Sequence, residues 1–251
     1  ESRVIISGPP GAGKEVVARL LHNASARRSG PLVVLNCATM APDRMELELF
    51  GSETNSDNTV VTGTFEQAND GTLLLDQVAD MPLETQGKIV RVLQEQRFQR
   101  VGGTAAIEVN VRVLASTNRD LQAEMANGNF REDLYYRLCV VPIVVPSLKA
   151  RPEDISVLIE FFMEAAAKSA GLAKREIADD AMACLQSYDW PGNVRQLRNV
   201  VDWILIMAGG NSSDPVSAES LATLPRLLTE DDTVAILSQP NYLIDPIQVE
   251  S

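Results

Sequence analysis

Arg3-Val4-Ile5-Ile6-Ser7-Gly8-Pro9-Pro10-Gly11-Ala12-Gly13-Lys14-Glu15 is the stretch from which the architecture follows. Its apolar run reads as a short strand ending at Gly8, and from Glu15 to Ala26 the apolar residues Val16, Val17, Leu20 and Leu21 return at helical spacing. Between strand and helix, Gly8-Pro9-Pro10-Gly11-Ala12-Gly13-Lys14 fits the pattern GxxxxGK. Such a loop uses glycine because its backbone must wrap close to phosphate oxygens and aim N–H groups inward, while the lysine reaches the β- and γ-phosphates. The positive end of the following helix adds to the attraction. The position after the lysine commonly holds Ser or Thr, whose hydroxyl ligates Mg²⁺; here it holds Glu15. Strand, loop and helix together predict a nucleotide site spanning Gly8 to Glu15.

A second element supports the first. Gly71-Thr72-Leu73-Leu74-Leu75-Asp76 is a hydrophobic strand that delivers a carboxylate at its C-terminal end, the side on which parallel sheets bind ligands. Asp76 is therefore the expected holder of Mg²⁺ or its water. The usual next residue is a glutamate that orients and deprotonates the attacking water, but this chain has Gln77. An amide can hydrogen-bond to water and cannot take its proton. Loss of a general base typically costs about 10²- to 10⁴-fold in rate.

Working outward, Pro31 to Asn36 and Val111 to Ala115 repeat the apolar-strand signal, and Pro42 to Phe50 and Pro82 to about Gln96 read as helices. Continuous apolar strands separated by helices argue for an α/β fold, a parallel sheet covered on both faces in three layers. From about Pro146 only helices remain, Glu153 to Ser169, Asp179 to Ser187 and Val194 to Met207, broken at Gly171 and Trp190-Pro191-Gly192. The expected organisation is a nucleotide-binding α/β region over 1–145, an all-helical region over 146–208, and a linker over 209–251 with one short helix near Ala218 to Leu224.

Composition narrows the classes further. An apolar fraction of 45% and a charged fraction of 22% are ordinary for a globular chain, and no apolar run is long enough to span a membrane. A net charge of -12 repels a nucleic-acid backbone, so contact with DNA requires a further domain. Cys37, Cys139 and Cys184 are far apart with no CxxC spacing, and are expected reduced and buried. The lone His22 is expected to pack or lie on the surface. Residue 1 is followed almost at once by a strand with no leader-like segment, so the chain is expected to be cytoplasmic and cut from a longer protein.

From Val4 to Met207 the chain resembles the AAA+ ATPase domain of bacterial sigma-54-dependent response regulators, the NtrC group. The resemblance is carried by Asn36-Cys37-Ala38, Glu48-Leu49-Phe50-Gly51, Gly63-Thr64-Phe65-Glu66-Gln67-Ala68, Arg100-Val101-Gly102-Gly103, Ala115-Ser116-Thr117-Asn118-Arg119-Asp120-Leu121, Phe130-Arg131-Glu132-Asp133-Leu134-Tyr135-Tyr136-Arg137-Leu138 and Trp190-Pro191-Gly192-Asn193-Val194-Arg195. A glutamate after the loop lysine is also common in that group. The resemblance implies ATP or ADP with Mg²⁺ between an AAA+ sheet and a helical lid. It places Asn118 at the first sensor position, and makes Asn36 the asparagine that holds the catalytic glutamate when idle. Arg131 and Arg137 resemble arginine fingers that reach into the next subunit's nucleotide, a task suited to a permanently charged, bidentate guanidinium. Their alternative is surface pairing with Glu132 and Asp133. Arg195 resembles the second sensor, which touches the nucleotide of its own subunit, or else is a surface arginine at a helix start.

The chain also departs from that group. Between Gly51 and Phe65 the signature GAFTGA, which grips sigma-54, is absent, and this argues against the sigma-54 contact. That loss, with Ala79-Asp80-Met81-Pro82, Val140-Val141-Pro142 and Glu160-Phe161-Phe162-Met163, is similar to the NtrX branch of nitrogen-regulation proteins that pair with sensor kinases. The resemblance implies a receiver domain before the chain, a DNA-binding helix-turn-helix after it, and self-assembly from dimers up to a hexameric or heptameric ring. The leading expectation is a nucleotide-controlled assembly module that hydrolyses weakly. The alternative is an active ATPase that remodels the closed promoter complex. A metabolic P-loop kinase would explain the loop but not the finger and lid motifs.

Overall fold

The computed structural model describes residues 2–54, 59–171, 174–207 and 215–222. They fall into two compact units, Glu1–Ser147 and Leu148–Ser251.

The first unit is built on five parallel strands. These are β1 (Val4–Ser7), β2 (Leu32–Asn36), β5 (Thr72–Asp76), β8 (Arg112–Thr117) and β9 (Val141–Val144), in spatial order β2-β5-β8-β1-β9. Two short antiparallel hairpins lie outside that sheet: β3 (Ser52–Thr54) with β4 (Thr59–Val61), and β6 (Arg97–Gln99) with β7 (Ala106–Glu108). Helices α1 (Lys14–Asn23), α2 (Pro42–Phe50), α3 (Thr64–Gln67), α4 (Leu83–Glu95), α5 (Leu121–Ala126) and α6 (Glu132–Leu138) connect the strands.

The continuous apolar run of β5 shows why the sheet is covered twice. Successive strand residues point to opposite faces, so Leu73 and Leu75 join one buried cluster with Leu35, Ile89 and Leu134, while Leu74 joins another with Val4, Ile6, Ala18 and Leu114. Each such leucine contributes roughly 1.5–3 kcal/mol relative to leaving it exposed. Helix α1 lies on the Leu74 side, and α2, α4 and α6 on the other. The lone His22 is buried at the end of α1, with Nδ1 2.9 Å from Thr72 Oγ1, and so serves packing.

The second unit consists of α7 (Asp154–Ala170), α8 (Asp179–Ser187), α9 (Asn193–Met207) and α10 (Ala218–Ala222) around Ile155, Ile159, Met163, Leu185, Trp190, Leu197, Val201 and Ile204. The breaker Trp190-Pro191-Gly192 has a structural use: Trp190 takes a left-handed conformation (φ 49°) that buries its ring, and its indole N–H donates to Leu185 O at 2.8 Å. Asn193, also left-handed (φ 52°), accepts from the Leu148 N–H at 2.8 Å. Within the stretch expected as linker, Val216 pairs with Ile177, and Val216 and Leu221 enter the core of this unit. The expected short helix appears there as α10; the rest of 209–251 lies outside the described residues.

Two expectations need correction. Of the three cysteines only Cys37 is buried; Cys139 is half-buried and Cys184 exposed, because Cys184 lies on the outer side of α8 while Ala181 and Leu185 face inward. Asn36 does not hold Gln77. Its strand register sets it directly beside Asp76, and its Nδ2 donates to Asp76 Oδ2 at 3.4 Å while its Oδ1 accepts from the Ala38 N–H at 2.9 Å.

Candidate functional site

Glycine sets the path of the loop between β1 and α1. Gly11 (φ 73°) and Gly13 (φ 103°) occupy the left-handed region that other residues rarely adopt. At Gly8 space decides, since a Cβ there would lie 2.4 Å from Val145 O. The Gly8 N–H donates to Thr117 O at 3.3 Å, which ties the loop to the end of β8. Lys14 is only 6% exposed, and its ammonium donates to the carbonyls of Gly8 (2.8 Å) and Pro9 (3.0 Å). A cation is thus held inside a ring of backbone, over the first turn of a helix whose leading N–H groups have no intrahelical partners. Pro9, Pro10 and Ala12 complete the loop. Glu15 points outward on α1, where its Oε1 accepts from Arg19 Nε at 3.1 Å and Nη2 at 2.7 Å.

Because β5, β8 and β1 are neighbours, their C-terminal ends bring the loop, Asp76 and Asn118 to one edge of the sheet. Asp76 Oδ1 accepts from Ser116 Oγ, and the same hydroxyl oxygen accepts from the Gln77 N–H at 3.3 Å. Gln77 itself is left-handed (φ 56°), and its Oε1 is buried with no hydrogen-bond partner among the described residues. An orphaned acceptor beside a phosphate-type loop suits a water molecule. Asn118 follows β8 and is exposed. Its neighbour Arg119 pairs with Asp80 at 2.6 Å, just beyond Gln77.

Ser116 and Asp80 are site residues that sequence reasoning passed over. The signal for Ser116 was a polar residue directly after the apolar run Val113 to Ala115. Cys37 lies near the same edge; burial, reinforced by the charges of Asp76 and Asp80, pushes its thiol up to about 12, so it stays protonated.

Among the described residues no group of three or more His, Cys, Asp or Glu side chains could hold a metal ion. Asp76, at the C-terminal end of β5, is a carboxylate at the sheet edge where the loop and β8 end. That suits an ion held mainly by phosphate oxygens and water, as Mg²⁺ usually is.

Arg131 immediately precedes α6 and Arg137 lies on it; no hydrogen bond or ion pair among the described residues joins either to the loop or to Asp76. Arg131 precedes the first turn and grips Asp133 with both arms, Nε–Oδ1 3.0 Å and Nη2–Oδ2 2.8 Å. The surface pairing weighed as an alternative for Arg131 is thus present in the single chain. That hydrogen bond and charge hold the Asp133 carboxyl below the usual carboxylate range. Arg137 is half-buried in the last turn of α6. Arg195 is exposed in the first turn of α9, in the second unit.

Residues 1–144 match the sigma-54 interaction domain family, and residues 149–231 match the AAA+ ATPase lid domain family. The chain is 52% identical over 220 residues to the nitrogen assimilation regulatory protein NtrX of Azorhizobium caulinodans, covering 88% of this chain and 48% of that protein. To the transcriptional regulator NtrC of Azospirillum brasilense it is 45% identical over 228 residues, covering 88% of this chain and 47% of that one. The crystal structure of NtrX from Brucella abortus in complex with ATP superposes with a TM-score of 0.82 at 50% identity, over 95% of this chain and 54% of that one. The chain spans about half the length of the curated relatives it matches. None of the described helices is long and apolar enough to cross a membrane.

Proposed function

Because this chain belongs to the sigma-54 interaction family of NtrC-group regulators and carries the AAA+ lid of that family, we propose that it is the central domain of an NtrX-like two-component regulator, which binds ATP, assembles with copies of itself, and hydrolyses slowly. The observation that carries the slow-hydrolysis reading is Gln77, a residue beside Asp76 whose buried carbonyl oxygen has no partner among the described residues. That oxygen can accept a hydrogen bond from a water aimed at the γ-phosphate and cannot remove its proton.

In this reading Gly8 to Lys14 cradle the triphosphate, with Lys14 turning from the carbonyls of Gly8 and Pro9 toward the β- and γ-oxygens. Asp76, steadied by Ser116 and Asn36, would hold Mg²⁺ or its water, and the ion would supply charge to the phosphates. Asn118 registers the γ-phosphate, and Arg195 acts as the second sensor for the nucleotide of its own subunit. Arg131 and Arg137 address the nucleotide of the adjoining copy and so make occupancy of the site a condition of assembly. Known NtrX structures with ADP and with ATP support the ligand. A receiver domain, a sensor kinase and a DNA-binding helix-turn-helix belong to the proposed full-length protein, in the cytoplasm. Nucleotide then governs how the DNA-binding domains are presented together.

The test is to titrate ATP into this chain and into Lys14→Ala while following mass by light scattering. ATP-dependent mass in the first and none in the second is expected. Absence of ATP binding to the unchanged chain would overturn every assignment built on the loop.

A second reading, an ATPase that opens sigma-54 promoters, draws on the β3–β4 hairpin, where Val60 and Val61 are 47% and 55% exposed. It requires that apolar pair to replace the missing signature, and promoter opening by Gln77→Glu would favour it.

A further inference from the structure

Gln86 occupies an uncommon place for an amide. It lies on the second turn of α4, whose residues Ile89, Val90, Val92 and Leu93 build the core, and it is 0% exposed. Burying an amide is costly unless its hydrogen bonds are made. Both donors and the oxygen are engaged here: Nε2 donates to Met81 O at 2.8 Å and to Asn129 O at 3.1 Å, and Oε1 accepts from the Arg131 N–H at 2.8 Å. Two carbonyls on one side and an N–H on the other leave the amide a single orientation.

The bonds join two segments distant in sequence. Met81 follows the turn that begins at Gln77, with Asp80 N–H donating to Gln77 O at 3.0 Å, and Asn129 and Arg131 deliver the finger candidate. The next residue is also unusual, since glycine inside a helix weakens it. At Gly87 a Cβ would sit 3.8 Å from Arg131 Nη1 and 3.9 Å from its Cζ, so the guanidinium lies across the bare backbone. Alanine would just fit, and a longer side chain would displace the guanidinium.

We propose that Gln86 is the positioning residue of the Arg131 finger, fixing its backbone while Gly87 leaves room for its guanidinium, and that the same amide links the finger to the segment following Asp76 and Gln77. This rests on the reading that Arg131 acts in the adjoining copy. A chain with a misplaced finger keeps its own site, and a chain with a dead site keeps its finger. The two therefore complement each other, which a general structural defect would not allow.

The experiment mixes variants and follows ATP-dependent mass by light scattering. Gln86→Met is expected to bind ATP with unchanged affinity, to lose assembly alone, and to regain it when mixed in equal amounts with Lys14→Ala. Arg131→Ala is the reference, expected to lose assembly alone and to regain it in the same mixture. Normal assembly by Gln86→Met alone overturns the proposal. So does a failure of Gln86→Met to be complemented where Arg131→Ala is. If Arg131→Ala is not complemented, or the unchanged chain does not assemble with ATP, the finger reading itself falls and takes this proposal with it. Should Gln86→Met lose ATP binding along with its fold, Gly87→Leu, which leaves the buried amide intact, is mixed in its place and decided by the same outcomes.

Discussion

Replacing Gln77 with glutamate exchanges an amide for a carboxylate of nearly the same shape, on a backbone the exchange does not alter. The left-handed φ of 56°, the N–H bond to Ser116 Oγ and the carbonyl bond from Asp80 N–H are all independent of the side chain. The difference in turnover therefore reports base chemistry. A restored general base is worth about 10²- to 10⁴-fold, or roughly 3–5 kcal/mol of barrier at 1.36 kcal/mol per tenfold. Stability moves the other way. Oε1 is already buried without a partner among the described residues, and a carboxylate there would put a charge on that buried position. The cost of leaving such a group unsatisfied is about 1–3 kcal/mol. At roughly 2–4 °C per kcal/mol for a domain of this size, melting falls by about 2–12 °C. Single-turnover phosphate release and calorimetry on both chains measure the two effects. A folded Gln77→Glu chain that binds ATP and releases phosphate no faster than the parent would refute the reasoning.

Gly8→Ala is expected to destabilise the first unit by about 1–3 kcal/mol through overpacking, because its Cβ would lie 2.4 Å from Val145 O; an unchanged melting curve would remove that contact from the account. The Asp133 carboxyl, held down first by its hydrogen bond to Arg131, is expected to titrate in NMR below the ordinary aspartate value of about 3.9, and Arg131→Ala should raise it. The sign follows from a depressed folded pKa: the pair's contribution to stability is present above the ordinary value and is lost as pH falls through the folded one. With its thiol pushed up to about 12 by burial, Cys37 should resist a maleimide while exposed Cys184 reacts, as read by mass spectrometry; early labelling of Cys37 would contradict its burial.

The parts of this fold that carried a strong period or a constrained backbone were readable before any coordinates. Val4 to Ile6 and Leu73 to Leu75 are apolar on both faces because both faces are buried, and three glycines around Lys14 leave few alternatives. Strand β9 was not read, because Pro142 lies inside it and proline argues against a strand. As an edge strand β9 needs only the bonds it shares with β1, and Pro142 sits there opposite Ile5. The hairpin strands, three residues each, and α5, six residues long, are too short to show a period. At the site, residue types pointed to the loop, Asp76 and Gln77, while the partners they make depend on register. Asn36 meets Asp76 because the two are paired across adjacent strands, which a motif does not encode. Gln86 looked like any polar residue in an amphipathic helix, and only its position among core residues sets it apart.

The strand order has a consequence for the newborn chain. Strand β1 is translated first among the strands of the sheet, yet both of its neighbours come late: Val4 pairs with Leu114 on one side and with Val141 on the other. At a synthesis rate of about 5–20 residues per second, its two open edges wait on the order of ten seconds for partners. Val145, whose N–H donates to Ser7 O and whose carbonyl crowds Gly8, arrives last of all. The phosphate loop thus begins the sequence of this unit but takes its final shape only when the unit is nearly complete. Until then Val4, Ile5 and Ile6 form an unpaired apolar edge, the kind of segment that invites aggregation or a chaperone.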